Sequence, residues 1–416
     1  MDKKYKRLKY GCYMTSMAMS VSANLSPVLF LTFRELYSIS YSALGFLILV
    51  NFVTQLGVDL AFSFFSHKFS ITKSVKLIPV LSIVGLLLYA ILPLVFPCVA
   101  YLGLLLGTII FSGAAGLTEV LTSPVIAAIP SDNPDREVGK LHSMYAWGVV
   151  GVILISTLFL LAFDNSYWWI LALVFTSIPL LALAFFTKSE IPEMKTPKRV
   201  SGAFSFLKSP GLWLSIIGIF LGGAAECTMS QWCSGYIERA LDIPKLWGDV
   251  FGVAGFALML GIGRITYAKY GRDTERFMLI GAIGATLCYF TAAVVNVELI
   301  GLIACAMTGL FTAVLWPGGL IVASERFPSG GVFVYAVMAA GGDLGASVTP
   351  QLVGIVTDCV IASDFAAELS LSLGIGIEQL GMKLGMLTGM LFPLAAIFVY
   401  LALYKTRKTQ KLQKSG

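Results

Sequence analysis

Residues 111–130 read FSGAAGLTEVLTSPVIAAIP. One carboxylate, Glu119, sits in this apolar run, with Ser112, Ala115, Thr122 and Ser123 at helical spacing from it. Eight residues after Gly116 comes Pro124, and the same order returns in GLFTAVLWP (309–317), as Gly309-Leu310 and then Pro317. The next apolar run in each place carries a glycine 24 residues past its proline, Gly148 and Gly341. All three matches share one offset of 193 residues (309 minus 116, 317 minus 124, 341 minus 148), so the chain reads as two related halves.

Outward from residues 111–130 the pattern repeats as runs of apolar sequence with short charged breaks. A bilayer core about 30 Å thick needs roughly 20 apolar residues in a crossing helix. Twelve runs qualify, near 11–33, 42–65, 74–95, 98–127, 139–163, 166–187, 211–237, 246–268, 275–295, 297–323, 331–357 and 380–404. Hydrophobic residues make up 57% of the chain and charged ones 12%, with a mean hydropathy of +0.85. The expected fold class is an all-α membrane protein of twelve transmembrane helices in two pseudo-symmetric six-helix bundles. The longest break, 188–210, holds three prolines and five basic residues and divides the runs six and six. Residues 1–187 and 211–416 are the expected bundles, joined by a cytoplasmic linker with a short surface helix around Ala203–Leu207.

The net charge of +6 comes from residues sorted by side, not from a nucleic-acid-binding patch. Of 29 basic residues, 25 fall in the N-terminal segment, the C-terminal tail or the breaks after even-numbered spans, Arg264 and Arg272 among them. Only Arg34, Arg239, Lys245 and Lys383 fall on the opposite side. The positive-inside rule then puts both termini in the cytoplasm, and the expected location is the plasma (inner) membrane. The first apolar run is about 23 residues long, too long for a cleaved signal, and a second follows at once. The seven cysteines show no metal-ligand spacing and read as small apolar residues.

Ionisable residues inside spans are costly and face a bundle interior or a wet cavity. Glu119, Glu226, Asp343 and Asp59 meet that description. Glu226 lies in GGAAECTMSQWCSGY, near Gln231 and Trp232; a carboxyl, an amide and an indole at one level suit a polyol or sugar. Asn51, Gln55 and Asp59 form an i, i+4, i+8 stripe, with the first two as candidate cavity residues and Asp59 as an inner-gate brace. Asp343 heads a stripe with Ser347 and Gln351, where Gly341, Gly342 and Gly345 allow a second backbone to come close. Tyr145, Trp147 and Trp316 complete the candidate solute-binding set, and Arg136, Arg264 and Glu325 join Asp59 as gate candidates. Charged pairs in the cytoplasmic breaks, Glu275, Arg326 and Asp132 among them, are candidates to latch the two halves together. No phosphate-binding loop, HExxH, GxSxG or Cys/His cluster is present, which argues against ATP drive and against an enzyme. No cofactor or metal is expected. The many glycines read as packing within one bundle, so a monomer is expected.

The six-plus-six halves, the basic central linker and the loop after Gly263-Arg264 resemble the major facilitator superfamily. That loop, ending at Gly271-Arg272, is similar to the superfamily's GxxxD-(R/K)-x-G-(R/K)-(R/K) motif. Within the superfamily, the chain resembles the fucose–galactose–glucose:proton symporter (L-fucose permease-like) family, whose span four reads Glu-x-x-x-x-Pro, as Glu119 and Pro124 do here. The resemblance implies sugar binding and proton coupling at Glu119. In that family span one has an acid four residues before a proline; here the proline is Pro27 and the position is Ala23, with the polar Asn24 beside it. Glu226 is then the candidate replacement carboxyl. The expected function is secondary active transport of a small polar solute, a sugar before others, by alternating access and with proton coupling. Export of amphipathic drugs or lipids is the alternative, which a large apolar cavity would favour. A non-transporting membrane sensor is the rival of another class, and short tails argue against it.

Overall fold

Long apolar runs leave the backbone no partner in lipid but itself, so each run closes its hydrogen bonds as a helix. The structure, a computed structural model, describes residues 5–65, 68–131, 134–192, 203–271, 273–328 and 331–415. Lys3, Lys4, Asp132, Lys195, Lys198, Arg199 and Arg272 lie outside the described residues. No strand occurs among the described residues. Among the described residues twelve helical stretches are long and apolar enough to cross a membrane: Lys6–Tyr37, Tyr41–Phe62, Ile71–Val95, Pro97–Ala128, Arg136–Ala162, Asn165–Thr187, Pro210–Ala240, Lys245–Tyr270, Thr274–Val294, Glu298–Arg326, Phe333–Ile361 and Ile377–Thr406. These are spans one to twelve below.

Several spans outrun the apolar sequence. Span one has 32 residues, about 48 Å at 1.5 Å per residue, so its ends project past the ~30 Å core. Span eight is not uniform: Gly248–Val253 is a π-helical turn. Span ten is interrupted between Thr312 and Leu315, because Pro317 has no N–H to give the Ala313 carbonyl. The surface helix expected near Ala203–Leu207 is a 3₁₀ helix, Ala203–Lys208. A helix with no counterpart in the sequence reading, Asp364–Leu373, follows span eleven. Ser363 caps it, with Oγ 3.4 Å from the Ala366 N–H, and Gly374 ends it in the left-handed region (φ 67°).

Contacts cluster the chain into two units: Met1–Ile39 with Val50–Arg199, and Ser40–Leu49 with Val200–Gly416. In the first unit, edge-to-face aromatics fill the space around Trp168, whose ring centroid is 4.9 Å from Phe33 and 5.8 Å from Tyr89. Polar groups in this cluster are satisfied, with Ser26 and Tyr89 hydroxyls 2.8 Å apart and the Trp168 indole donating to Tyr37 at 3.1 Å. A second core joins Leu8, Cys12, Phe62, Ile78, Leu121 and Phe186. On the charged side of this unit Glu137 binds Lys9 and, at 2.6 Å, Lys140. Asp164, in the turn before span six, accepts the Ser166 N–H at 2.8 Å, which holds its carboxyl below the usual range.

In the second unit three buried tyrosines tie neighbouring helices through backbone carbonyls: Tyr236 to Ala292, Tyr289 to Ala225 and Tyr400 to Gly218, each at 2.8 Å. The first turns of span two belong here because Asp358 caps them, accepting from the Tyr41 N–H at 3.1 Å and the Ser42 N–H at 2.6 Å. The Tyr41 hydroxyl also donates to Glu378 at 2.6 Å.

The repeat read from the sequence has a packing counterpart in each unit. A Cβ on Gly116 of span four would lie 3.1 Å from the Gln55 carbonyl of span two. One on Gly309 of span ten would lie 3.1 Å from the Leu260 nitrogen of span eight. Likewise Gly148 of span five meets span one, 3.2 Å from the Met17 Cα, and Gly341 of span eleven meets span seven, 3.0 Å from the Ile216 side chain. The same helix pairs are therefore brought together by the same glycines in both halves, as small residues do in lipid.

Candidate functional site

Within the first unit, the span-two stripe lies on span four. Ser112 Oγ donates to Asn51 Oδ1 at 2.5 Å, and Gln55 Nε2 reaches the same oxygen at 3.2 Å. Asn51 and Gln55 are buried, so their amides serve a polar helix seam. About two turns beyond Ser112 on span four stands Glu119. Its face of span four is otherwise largely closed, since Thr108, Ser112, Ala115 and Thr122 are buried and Ser123 is half-buried, whereas Glu119 is exposed. Nor does it belong to the stripe of Leu102, Leu106 and Ile109, the exposed apolar face of span four; it lies roughly 100° around the helix from that stripe at 100° per residue. Glu119 makes no hydrogen bond or ion pair among the described residues. An exposed carboxylate is an acceptor for a solute hydroxyl or a proton. Asn24, on span one, is half-buried, and its amide donates back to the Ser20 carbonyl at 2.9 Å. Asp59, the last of the stripe, is half-buried.

Within the second unit the sequence reading needs correction at Arg264. The basic loop that follows it suggests a place at the cytoplasmic gate. The helix instead continues to Tyr270, and Arg264 reaches the middle of span seven, where an Nη lies 3.3 Å from Glu226 Oε1. Its Nε also points at the Ala313 carbonyl, at a long 3.5 Å. That carbonyl is the one Pro317 leaves without its helical donor. Glu226 is consequently not a lone acid: one oxygen faces the guanidinium, while Oε2 is buried without a hydrogen bond. Cys227 lies within electrostatic reach of Glu226, Arg264 and Asp343. Asp343 is buried, and the expected close backbone is there, since a Cβ on Gly345 would strike the Phe220 carbonyl. Trp316 lies over a notch made by two glycines, 2.9 Å from where a Cβ on Gly223 would sit and 2.8 Å from one on Gly342. Glu226, Arg264, Asp343 and Trp316 thus gather where spans seven, eight, ten and eleven meet.

Other candidates stand elsewhere. Trp232 is 1% exposed, with its indole donating to the Pro350 carbonyl at 2.9 Å and its ring against Tyr41. It is a core side chain with no face left for a sugar, and Gln231 beside it is also buried. Trp147 is 67% exposed on the same helical face as Leu154, Leu158 and Leu161, the outward apolar stripe of span five. Tyr145 is half-buried; His142, at the start of span five, is 3.4 Å from Ser123. Of the gate residues, Arg136 and Glu325 are exposed at the charged ends of their spans. Arg326, a latch candidate, pairs with Glu275 at 3.5 Å and with the Leu403 carbonyl at 2.7 Å, partners within the second unit. No cluster able to hold a metal ion occurs among the described residues. The sequence signal that Arg264 is intramembrane was present in the largely apolar run Ile265–Ala268 that follows it.

The chain has solved structural relatives along almost its whole length. A bacterial homologue of the human lysosomal transporter Spinster, in an inward-facing, unoccupied conformation, superposes with a TM-score of 0.75 at 12% identity, covering 98% of each chain. A D-xylose–proton symporter gives 0.70 at 15% identity, over 95% of this chain and 97% of its own. An E. coli fucose:proton symporter gives 0.59 at 14% identity, over 96% and 99%. No curated protein matches the chain in sequence. The sequence model of one family does, across residues 11–350, and by that match the chain belongs to the Major Facilitator Superfamily.

Proposed function

We propose that this multi-pass membrane protein carries a small polar solute, a sugar before others, by alternating access, with Glu119 as the proton-coupling acid. The superfamily is one of transporters rather than enzymes. The observation that carries the reading is the exposed Glu119 carboxylate on an otherwise largely buried face of span four. The xylose and fucose symporters among the structural relatives are named for sugars moved with protons, which supports the same cargo class and coupling. Glu226 and Arg264 serve on this reading as a pair: the half-exposed guanidinium donates to the solute while Glu226 Oε1 holds that guanidinium in place. Trp316 offers an apolar edge beside them for C–H groups of a sugar ring. The protein works as a monomer in the plasma membrane with both termini cytoplasmic.

Uptake of labelled sugars into proteoliposomes, with and without an inward proton gradient, tests this. Wild type should respond to the gradient, and Glu119→Gln should transport equally with and without it. Equal uptake by both proteins in both conditions removes the coupling. A second reading rests on Arg264. A cation inside a span, 51% exposed, favours a solute that carries a carboxylate, such as a sugar acid. Competition of uptake by sugar acids over neutral sugars would select it.

A further inference from the structure

On the outward end of the second unit, spans eight and ten enclose a groove of about 660 Å³ that is separate from the charged cluster and lined by apolar residues alone. Its walls are Phe251 and Leu258 on span eight and Leu299 and Ile303 on span ten, 54%, 62%, 63% and 52% exposed. Its floor is closed, because Gly255 brings the two helices together at Ala306, where an added Cβ would be 3.3 Å away. The π-helical turn shapes one wall. Gly248 and Gly252 seat that turn against Ile237 of span seven, Asp249 turns inward to Lys245 at 3.5 Å, and Phe251 is left facing out. A π turn inside an α-helix is a frequent mark of a functional site.

Three features name the occupant. The groove wall on span eight runs from Val250 to Met259, about 14 Å at 1.5 Å per residue, half of a ~30 Å hydrocarbon core and so one leaflet deep. At its mouth Trp247 is 52% exposed and stacks on Phe251 with ring centroids 5.8 Å apart, a side chain suited to the headgroup level. The mouth is also acidic: Lys245 is engaged by Ser234 at 2.9 Å and Asp249, and the exposed Glu298 begins span ten beside Leu299. We infer that this groove binds one acyl chain of a zwitterionic phospholipid from the leaflet opposite the termini, with the lipid ammonium on Glu298.

The test uses the full chain in nanodiscs containing phosphatidylethanolamine with a diazirine on its acyl chain, and needs no transported solute. Cross-links mapped by mass spectrometry should concentrate on 250–259 and 299–307, exceeding those on the ordinary lipid-facing stripe Leu154–Leu161 on the order of fivefold, as a close-packing preference in lipid would give. Ala306→Phe, which fills the floor, should bring the groove down to the level of that stripe; Ala254→Phe fills it from the other wall if the first variant does not fold. Unlabelled phosphatidylethanolamine should compete better than phosphatidylglycerol, and Glu298→Gln should erase that difference. Equal labelling of groove and stripe in the wild type, labelling unchanged by both filling variants, or competition indifferent to headgroup would overturn the assignment.

Discussion

Removing Arg264 should cost the protein more than removing its partner Glu226, and removing both should cost less than the sum. At 3.3 Å, the pair's attraction is about 5 kcal/mol at an effective dielectric of ~20. The guanidinium is 51% exposed, so solvent screening cuts this to about 2 kcal/mol. The two ends are unequal. Glu226 is 14% exposed and has one oxygen fully buried, so Arg264→Met leaves a charge with nowhere to go; we expect a loss of about 2–3 kcal/mol, below the ~3–5 of a fully buried pair. Glu226→Gln leaves an arginine that keeps water and the Ala313 carbonyl, and should cost about 1 kcal/mol. The double variant should then lose about 1–2 kcal/mol, giving a coupling near 2. Unfolding of all four proteins in one detergent, followed by tryptophan fluorescence across a denaturant series, measures the cycle. Additivity within about 0.5 kcal/mol, or a larger loss for Glu226→Gln than for Arg264→Met, would refute the pairing and its asymmetry.

Gly345→Ala would push a methyl onto the Phe220 carbonyl and should destabilise by about 1–3 kcal/mol, whereas Gly113→Ala meets nothing within 4 Å and should be neutral or slightly stabilising; thermal unfolding of the two compares them. Asp358→Asn weakens the cap on span two and should cost about 1 kcal/mol, seen as faster amide exchange confined to residues 40–49. A membrane-impermeant maleimide applied to intact cells should modify Cys98 and Cys359, which are exposed, and spare the buried Cys12, Cys233 and Cys305; labelling of Cys98 only after lysis would invert the proposed topology. The Asp164 turn holds its full benefit above the unfolded aspartate pKa and loses it as pH falls through the lowered folded value, so the Ser166 amide should lose exchange protection only in acid.

Crossing helices were legible because lipid demands a single property, length of apolar run, and the sequence displays it directly. The repeat was legible for a related reason: glycines that seat span four on span two, and span ten on span eight, keep a fixed offset whatever surrounds them. Side-chain partners were less so. Helical spacing put Asn51, Gln55 and Asp59 on one face, and they do share it, but spacing does not say whether that face meets a solute or a neighbouring helix; Ser112 answers for Asn51. Trp232 looked like a stacking platform by its neighbours in sequence, yet its indole is committed to Pro350, 118 residues away. Charge marks Arg264 as a loop residue, but its helix runs on to Tyr270. Asp358 and Glu378 drew no notice, since a carboxylate near a span end is ordinary until the tertiary fold sets an unsatisfied helix start beside it.

The gap in span ten has an implication for how this chain can vary. The acceptor that Arg264 finds there is main chain, exposed by a missing amide hydrogen four residues further along, and residue 313 is already alanine. A scan that trims side chains one by one would pass over it without a signal, and drift at 313 toward other small residues would leave it intact. Only a change at Pro317 would silence that oxygen, by restoring the donor it lacks, so the anchor for a charge inside the membrane is encoded by an imino acid that never touches it.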